Sequence, residues 1–327
     1  MGYRLDAKDR MILYELDSDA RQSYSSLAKR VGLSKDAVSY RMKTLEDAGV
    51  IRNYIAVLDI GRLGYMTPGA FLKLHETTPG IEEEIFSYLQ KHPKVAWFVS
   101  CEGSWDMNTM LWVRSIYEYE DFWKGFTGRF RQYIASNWFN IITRLHHFPR
   151  DYLLKGTNRK PKKSRPLVIG EAGEAVKVDA LDLRILRLLA PNARMSLMGM
   201  ARKLGSSPKV IAYRIRKLER DKVILGYRLG MNLDRIGIVY YKLHLYLRNM
   251  THKKEKEMFE YARMHPNIIY IDEKIGGADM EFELQVESQT QFREILSEIR
   301  HRFSDVVNDY DFLVYYKEHK LVYLPEE

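Results

Sequence analysis

The chain has 327 residues, 46% of them hydrophobic, which is enough for two to four domains that each bury a core. A single cysteine, Cys101, excludes an intramolecular disulfide framework and favours a reducing, cytoplasmic compartment. No stretch approaches the ~18 apolar residues that a membrane span requires, and the net charge of +9 favours a polyanionic partner.

The first 50 residues predict three short helices, because their apolar residues recur at helical spacing. The stripes are Leu5, Ile12, Leu13 and Leu16, then Leu27, Ala28 and Val31, then Val38, Met42 and Leu45. Gly32 follows the second helix, and Ser34 stands where it can cap the third. The tight turn between these two helices is typical of a helix-turn-helix.

The sequence GVIRNYIAVLD (49–59) predicts two short strands joined by a turn, which would form the wing of a winged helix-turn-helix. The following residues predict the order strand, helix, strand, strand, helix, strand. This order gives a four-stranded antiparallel sheet with two helices on one face, a βαββαβ module. Its six elements are expected at 69–76, 80–91, 94–101, 106–113, 116–134 and 136–148.

Residues 154–177 are rich in Gly, Pro and Lys and show no apolar periodicity, which predicts a flexible linker. Its stretch from Lys155 to Arg165 holds six basic residues and no acidic one.

The rest of the chain repeats the first part at a constant offset of 173 residues. Residues 178–227 align with 5–54 without a gap, and 19 of the 50 positions are identical. Ser207 takes the capping position, Pro208 the first helical position, and 222–232 the wing. The second βαββαβ elements are expected at 239–247, 251–264, 267–275, 279–286, 289–303 and 306–316.

The predicted fold class is therefore α+β, with two tandem units. Each unit is a winged helix-turn-helix followed by a βαββαβ (ferredoxin-like) sandwich. The predicted domains are 1–60, 65–153, the linker 154–177, 178–233 and 237–327.

The third helix of each unit is the candidate DNA-reading element, because such a helix fits the major groove and must present hydrogen-bonding and cationic groups there. The candidate DNA-binding residues are Lys35, Asp36, Ser39, Tyr40, Arg41 and Lys43 in the first copy and Ser207, Lys209, Ala212, Tyr213, Arg214, Arg216 and Lys217 in the second. Arg41 and Arg214 lie at the edge of this face and suit phosphate contact. The alternative is that these charges only form the solvated face of an amphipathic helix.

The sequences LSKDAVSYRMKTLEDAGVI (33–51) and SSPKVIAYRIRKLERDKVI (206–224) resemble the helix-turn-helix of Lrp/AsnC (feast/famine) transcription regulators. LDAKDRMIL (5–13) and VDALDLRIL (178–186) resemble the opening helix of that family. The resemblance implies binding to double-stranded promoter DNA and assembly through the βαββαβ sheets. Family members usually carry one such unit, so this chain would form a pseudo-dimer by itself, and a further homodimer through its sheets is expected.

The resemblance also implies a small, amino-acid-like effector near the turns between the second and third strands of each βαββαβ module. The candidate positions are Glu102, Gly103, Ser104 and Asp106 in the first copy and Gly276, Gly277 and Asp279 in the second. The alternative is that these glycines only make the turns and the aspartates cap them.

The two helix-turn-helix copies differ in charge. Residues 4–55 hold ten Lys and Arg against eight Asp and Glu, a net of +2, whereas residues 177–228 hold thirteen against four, a net of +9. We expect the second copy to supply most of the electrostatic affinity for DNA. The first would be a weaker, discriminating reader or would contact the transcription machinery, such as a basal transcription factor or RNA polymerase.

Two other functions stay open. Siroheme decarboxylases resemble the same two-part architecture, but WFVSCEGSWD (97–106) and IDEKIGGAD (271–279) lack the His and Arg expected of their substrate motif. A co-regulator that binds protein rather than DNA is the third reading. The sequence predicts no catalytic residue, no cofactor and no metal site, because His146 and His147 alternate along a strand and have no third ligand nearby.

Overall fold

The computed structural model describes residues 2–162, 166–170 and 173–325. The helices are α1 (Ala7–Ser18), α2 (Tyr24–Val31), α3 (Lys35–Asp47), α4 (Pro79–Lys91), α5 (Ile116–Phe130), α6 (Ala180–Leu189), α7 (Leu197–Leu204), α8 (Pro208–Arg220), α9 (His252–Met264) and α10 (Gln289–Arg302). The strands are β1 (Ile51–Leu58), β2 (Thr67–Leu74), β3 (Val95–Gly103), β4 (Met107–Leu111), β5 (Ile134–His147), β6 (Leu167–Ile169), β7 (Ile224–Met231), β8 (Val239–Leu247), β9 (Ile268–Ile275), β10 (Met280–Val286) and β11 (Val307–Leu321). The predicted α+β tandem architecture is confirmed.

Each three-helix module folds around the apolar stripes that the sequence predicts. Leu13, Leu27 and Val38 are fully or almost fully buried in the first module, as are Leu186 and Ile211 in the second. Both modules begin with a reciprocal capping box, made by Asp6 with Asp9 and by Asp179 with Asp182. The same local devices at aligned positions therefore start both copies in the same way.

The predicted wing is wrong in its form. Each copy contributes one strand, not two joined by a turn, and the two strands pair with each other in antiparallel fashion as β1 and β7. Residues 51–58 and 224–231 pair along their length with register shifts near both ends of β1, and this pairing gives one edge of each strand its backbone partners. The ribbon that results joins the two helix-turn-helix modules directly.

The two βαββαβ sheets join edge to edge and close into a ring. The order is β2-β4-β3-β11-β8-β10-β9-β5, and β5 returns to β2, so eight of the nine strands of this sheet form a closed barrel. Strands β5 and β11 extend past their own sheets, where β5 pairs with β9 and β11 pairs with β3. The last strand of each module thus also pairs with a strand of the other module. The four helices α4, α5, α9 and α10 pack on the outside of the barrel.

Closure of the barrel bears on the expected homodimer. Within the described residues, the outer edges of the two sheets pair with each other inside one chain. These edges are therefore not open to a second chain. The expected homodimer through the sheets stays a prediction.

The predicted flexible linker 154–177 contains regular structure. It begins at a short helix of the 3-10 type, Asp151–Leu154, and later forms β6, which pairs with the end of β5 through Leu145 and Ile169. Strand β5 extends beyond the end of β2, which leaves backbone groups that β6 can bind. The part of the predicted basic stretch at 163–165 lies outside the described residues, as do residues 171–172.

Within the described residues, no helix combines the length and the apolar character that crossing a lipid bilayer requires.

Candidate nucleic-acid interface

The two candidate recognition helices are built alike. Helix α2 ends at Gly32 and α7 at Gly205, both with φ in the left-handed region, at 66° and 64°. The side chain of Ser34 then accepts a hydrogen bond from the Ala37 amide at 3.1 Å, and that of Ser207 accepts one from the Val210 amide at 3.2 Å. These caps fix where α3 and α8 start and therefore which side chains occupy the first turn.

The predicted outer faces are exposed as expected. The exposed members are Lys35, Asp36, Ser39, Tyr40 and Lys43 on α3, and Ser207, Lys209, Tyr213 and Arg216 on α8. Tyr40 and Tyr213 occupy aligned positions and are 74% and 58% exposed. An exposed aromatic ring at the same place on both helices is unusual for a purely solvated face and suits contact with a partner. Ala212 and Lys217 are half-buried.

Arg41 and Arg214 form ion pairs inside the protein in the absence of DNA. Arg41 Nη1 lies 2.7 Å from carboxylate oxygens of both Asp6 and Asp9. Arg214 Nη1 lies 2.5 Å from Asp179 Oδ2 and 3.2 Å from Asp182 Oδ1. In both copies the arginine therefore ties the recognition helix to the capping box of the first helix. This role was missed from the sequence, although the aspartates stand at aligned positions in both copies.

The ion pair with Arg214 stabilises the ionised form of Asp179. The pKa of Asp179 lies below its ordinary value, first because its side chain accepts the Asp182 backbone hydrogen bond and then because Arg214 donates to it. Lys217 approaches the other carboxylate of this capping box, with its Nζ 3.9 Å from Asp182 Oδ2. In contrast, Lys209 and Arg216 form no ion pair with another described residue, so their charges face outward on α8.

The linker lies against the first helix-turn-helix. Arg159 donates to the carbonyl of Arg30 at the end of α2, and Lys162 Nζ lies 2.5 Å from Glu15 Oε2. The amide of Lys162 also donates to the hydroxyl of Tyr14 at 2.8 Å. The basic linker therefore adds positive charge beside the first module, and the net charge of +2 for residues 4–55 leaves this contribution out.

The turns expected to bind an effector are occupied by contacts within the chain. The Asp106 carboxylate accepts from Lys73 Nζ and from the Leu74 amide, both at 2.7 Å, and Asp279 accepts from the Leu247 amide at 2.7 Å. Gly103 and Gly276 have φ of 123° and 80°. A Cβ at either glycine would lie 2.6 Å from a carbonyl oxygen of the other module's last strand. Glu102 and Ser104 are exposed beside Gly103, and Gly277 continues the second turn. Effector binding at these turns stays a prediction.

The barrel interior contains a buried charge cluster that the sequence did not predict. We define the barrel cluster as Lys242, His244, Asp272, Lys274, Glu281, Glu283 and Asp311, all from the second module. Lys242 binds Asp272 and lies 2.9 Å from Glu281 and 3.0 Å from Glu283. His244 Nδ1 lies 2.8 Å from Asp311.

The first module faces this cluster with aromatic side chains. The ring of Phe71 lies 5.8 Å from Lys242 Nζ and 5.2 Å from Lys274 Nζ, and the ring of Trp138 lies 5.9 Å from Lys274 Nζ. Burial alone would raise the pKa of Glu281, but the ammonium groups of Lys242 and Lys274 outweigh burial and hold that pKa at about 2. The cluster therefore keeps its charges through mutual pairing.

Sequence alternation hides this cluster. The sequences YYKLHLYL (240–247) and MEFELQV (280–286) place a polar residue at every second position, a pattern typical of a strand with one solvated face. That face is covered by the sheet of the first module, so its polar residues are buried.

His146 and His147 do lie on opposite faces of β5, where His146 binds Glu273 and His147 packs on Tyr270.

Two family models match the helical modules. The model described as winged helix-turn-helix DNA-binding matches residues 5–52, and the AsnC-type helix-turn-helix domain matches residues 178–219. The proline dehydrogenase transcriptional activator of Rhodobacter capsulatus is 33% identical over 122 residues, which cover 37% of this chain and 79% of that protein. The transcriptional regulator AzlB of Bacillus subtilis is 33% identical over 125 residues, which cover 37% of this chain and 78% of that protein.

One similar solved structure extends over both halves. The siroheme decarboxylase NirDL superimposes with a TM-score of 0.63 over 96% of this chain and 93% of that chain, at 14% sequence identity. At this identity the likeness concerns the fold alone. It shows that the arrangement of two helical modules and two joined sheets occurs in another protein.

Proposed function

Because the chain belongs to the Lrp/AsnC family of transcription regulators and carries two helix-turn-helix DNA-binding domains, we propose that it reads double-stranded promoter DNA sequence-specifically with both recognition helices. The observation that carries this proposal is the pair of outward faces on α3 and α8, with exposed tyrosines at aligned positions and unpaired basic residues on α8. Donors and cations on such a face are what the major groove and the flanking phosphates bind.

The second module is the main electrostatic anchor in this proposal. Its net charge of +9 against +2 for the first includes Arg228, which is buried against Asp17 and is not offered to DNA. The difference remains large without this residue. Arg216 and Lys209 point outward, whereas Asp36 stands at the position aligned with Lys209 and repels phosphate. The first module would then be the weaker reader that discriminates between sequences. The alternative role for it is contact with RNA polymerase or a basal transcription factor.

We expect Arg216→Ala to weaken binding to a promoter fragment by roughly tenfold and to lower the log–log salt slope by about 0.9, because one phosphate contact is lost. The matched variant is Lys43→Ala, which changes the aligned position of α3, also exposed. It should weaken binding by only about threefold or less. Fluorescence anisotropy at several salt concentrations measures both quantities. Equal losses for the two variants would contradict the assignment of the anchor. Substitution of Arg41 or Arg214 would not isolate a DNA contact, because these residues also hold the first helices in place.

A tetrapyrrole enzyme is the alternative, and the shared architecture with siroheme decarboxylase NirDL is the observation that favours it. Titration with iron uroporphyrin, followed by absorbance, separates the two readings. We expect no saturable spectral change, since residues 97–106 and 271–279 contain no His or Arg. A saturable change would move the proposal toward the enzyme. A failure to bind any promoter fragment would leave a co-regulator that contacts protein.

We further propose that the protein acts in the cytoplasm, which its single, buried Cys101 and a DNA target both fit. An association of two such chains would present four recognition helices along an extended site. It would use surfaces outside the closed barrel. A small amino-acid-like effector at the 102–106 and 276–279 turns would have to displace the contacts that Gly103 and Gly276 make with the neighbouring strand.

A further inference from the structure

The two halves of the chain are related by a local twofold axis that can be located from strand pairing. Ile55 of β1 faces Arg228 of β7, and these two residues are also the aligned positions of the two copies. Tyr54 faces Leu229, and Ala56 faces Tyr227. These two pairs are reciprocal, because Tyr54 is aligned with Tyr227 and Ala56 with Leu229. In an antiparallel pair, this reciprocity places the axis between Ile55 and Arg228.

The barrel obeys the same relation. Cys101 of β3 faces Tyr315 of β11, and the aligned partners Ile142 and Lys274 face each other in β5 and β9. The two halves of the chain are therefore related by an approximate twofold axis, as the two subunits of a homodimer are. Recognition helices related by a twofold axis approach the two halves of an inverted repeat.

The residues that these helices present are not the same in the two halves. Tyr40 and Tyr213 coincide, but Asp36 is aligned with Lys209 in the first turn. Ser39 is aligned with Ala212, and Lys43 with Arg216. First-turn residues of a recognition helix reach base edges. A carboxylate accepts a hydrogen bond from the cytosine amino group, whereas an ammonium donates to guanine O6 and N7.

We propose that the DNA site is an inverted repeat that departs from symmetry, with cytosine under Asp36 in one half and guanine under Lys209 in the other, so that the protein binds in one orientation only. This inference rests on the proposed DNA-binding function. The two half-sites share the base pair that faces Tyr40 and Tyr213. They differ at the positions that face residues 36/209, 39/212 and 43/216.

The asymmetry extends into the core. At the local axis itself, Ile55 faces Arg228, whose Nη1 donates to the Asp17 carbonyl at 2.8 Å and lies 3.3 Å from Asp17 Oδ2. The position aligned with Asp17 is Ala190. The first helical module is thus joined to the centre by buried ions and the second by apolar contacts. Because both halves belong to one chain, every molecule carries the two readers in the same arrangement.

Selection from a random duplex library with the full chain tests the site. We expect enrichment of an imperfect inverted repeat whose two halves differ at the base pair under residue 36 or 209. The Asp36→Lys variant should change the preferred base in one half from cytosine to guanine, by roughly tenfold or more, and make the selected site more symmetric. Lys209→Asp should make the reciprocal change in the other half.

Orientation is tested by directed cleavage. Ser25→Cys and Met198→Cys place a cleavage reagent at aligned, exposed positions of α2 and α7, while the native Cys101 is buried. We expect each variant to cut the selected DNA on one side only, and the two variants to cut opposite sides. A perfect palindrome from selection, or cleavage on both sides by each variant, would overturn the inference and leave DNA binding intact. No enrichment of any sequence would instead overturn the proposed function and this inference with it.

Discussion

Replacing Lys242 with methionine is expected to lower the free energy of unfolding by about 3–5 kcal/mol, the cost of leaving a buried carboxylate without its partner. Lys242 is the cation that Asp272, Glu281 and Glu283 share, and its side chain is 4% exposed. Methionine has a similar length, so the loss would report charge rather than volume. Three acidic groups would remain with Lys274 as the nearest cation.

Urea denaturation followed by tryptophan fluorescence measures this loss directly, because Trp105 and Trp138 line the wall that faces the cluster. The matched control is Lys253→Met on α9, whose side chain is 86% exposed and should change stability by less than about 0.5 kcal/mol. Adding Asp272→Asn to Lys242→Met should restore part of the loss, since one unpaired carboxylate disappears. Equal stability of Lys242→Met and the control would show that the ion pairs make no net contribution.

The effect of Lys242→Met should also depend on pH. The pKa of Glu281 is about 2 in the folded protein against an ordinary value of 4.5, so its favourable contribution is complete above about pH 4.5 and is lost as the pH falls toward 2. The variant lacks the cation that lowers this pKa, and its carboxylates take up protons more readily. The difference in stability between the native protein and the variant should therefore narrow below about pH 4.5.

The elements were predictable from the sequence because local rules fix them. The apolar stripes, Ser34 and Ser207 as caps and Gly32 as a stop all depend on neighbours within a few residues. The predicted βαββαβ order depends in the same way on periodicity and turns. Duplication at a constant offset then gave the tandem organisation without any knowledge of packing.

Pairing between the two halves was not predictable by the same rules. Whether residues 51–58 fold back as a wing or pair with 224–231 depends on where the second copy lies, and periodicity carries no such information. The barrel cluster is a second case. Lys242 and Glu281 alternate with apolar residues as if one face were solvated, and only closure of the barrel covers that face. The candidate DNA-reading residues stay a prediction from the sequence, whereas the ion pairs that restrain Arg41 and Arg214 are visible only in the geometry.

Asp17 gives the other large expected effect, because three parts of the chain meet at this one carboxylate. It lies in α1, is fully buried, accepts from the Arg150 amide at 3.0 Å, and lies 2.5 Å from Arg150 Nη1. Arg228 of β7 approaches the same side chain from the second half. Burial lowers the pKa of Arg228, and Asp17 is the first of the groups that oppose this effect.

We expect Asp17→Ala to lower the free energy of unfolding by about 3–5 kcal/mol, since two buried guanidinium groups would lose their counter-ion. Urea denaturation followed by circular dichroism measures the change. The control is Asp19→Ala, two residues along the chain and exposed, with an expected loss below about 1 kcal/mol. A loss for Asp17→Ala no larger than that of the control would contradict an ionic connection between the modules.

The second half of the molecule offers a stricter comparison. The positions aligned with Asp17, Arg150 and Arg228 are Ala190, Tyr323 and Ile55, so these three positions carry no charge in the second half. The triple variant Asp17→Ala, Arg150→Tyr, Arg228→Ile copies that apolar solution into the first half. Because replacing a whole buried ionic group by packed apolar residues is often neutral, this variant should recover most of the stability that Asp17→Ala loses. If recovery occurs, the ions hold the two halves in a defined arrangement without adding net stability. If the triple variant is less stable than Asp17→Ala, the buried arginines contribute packing that their apolar counterparts cannot supply.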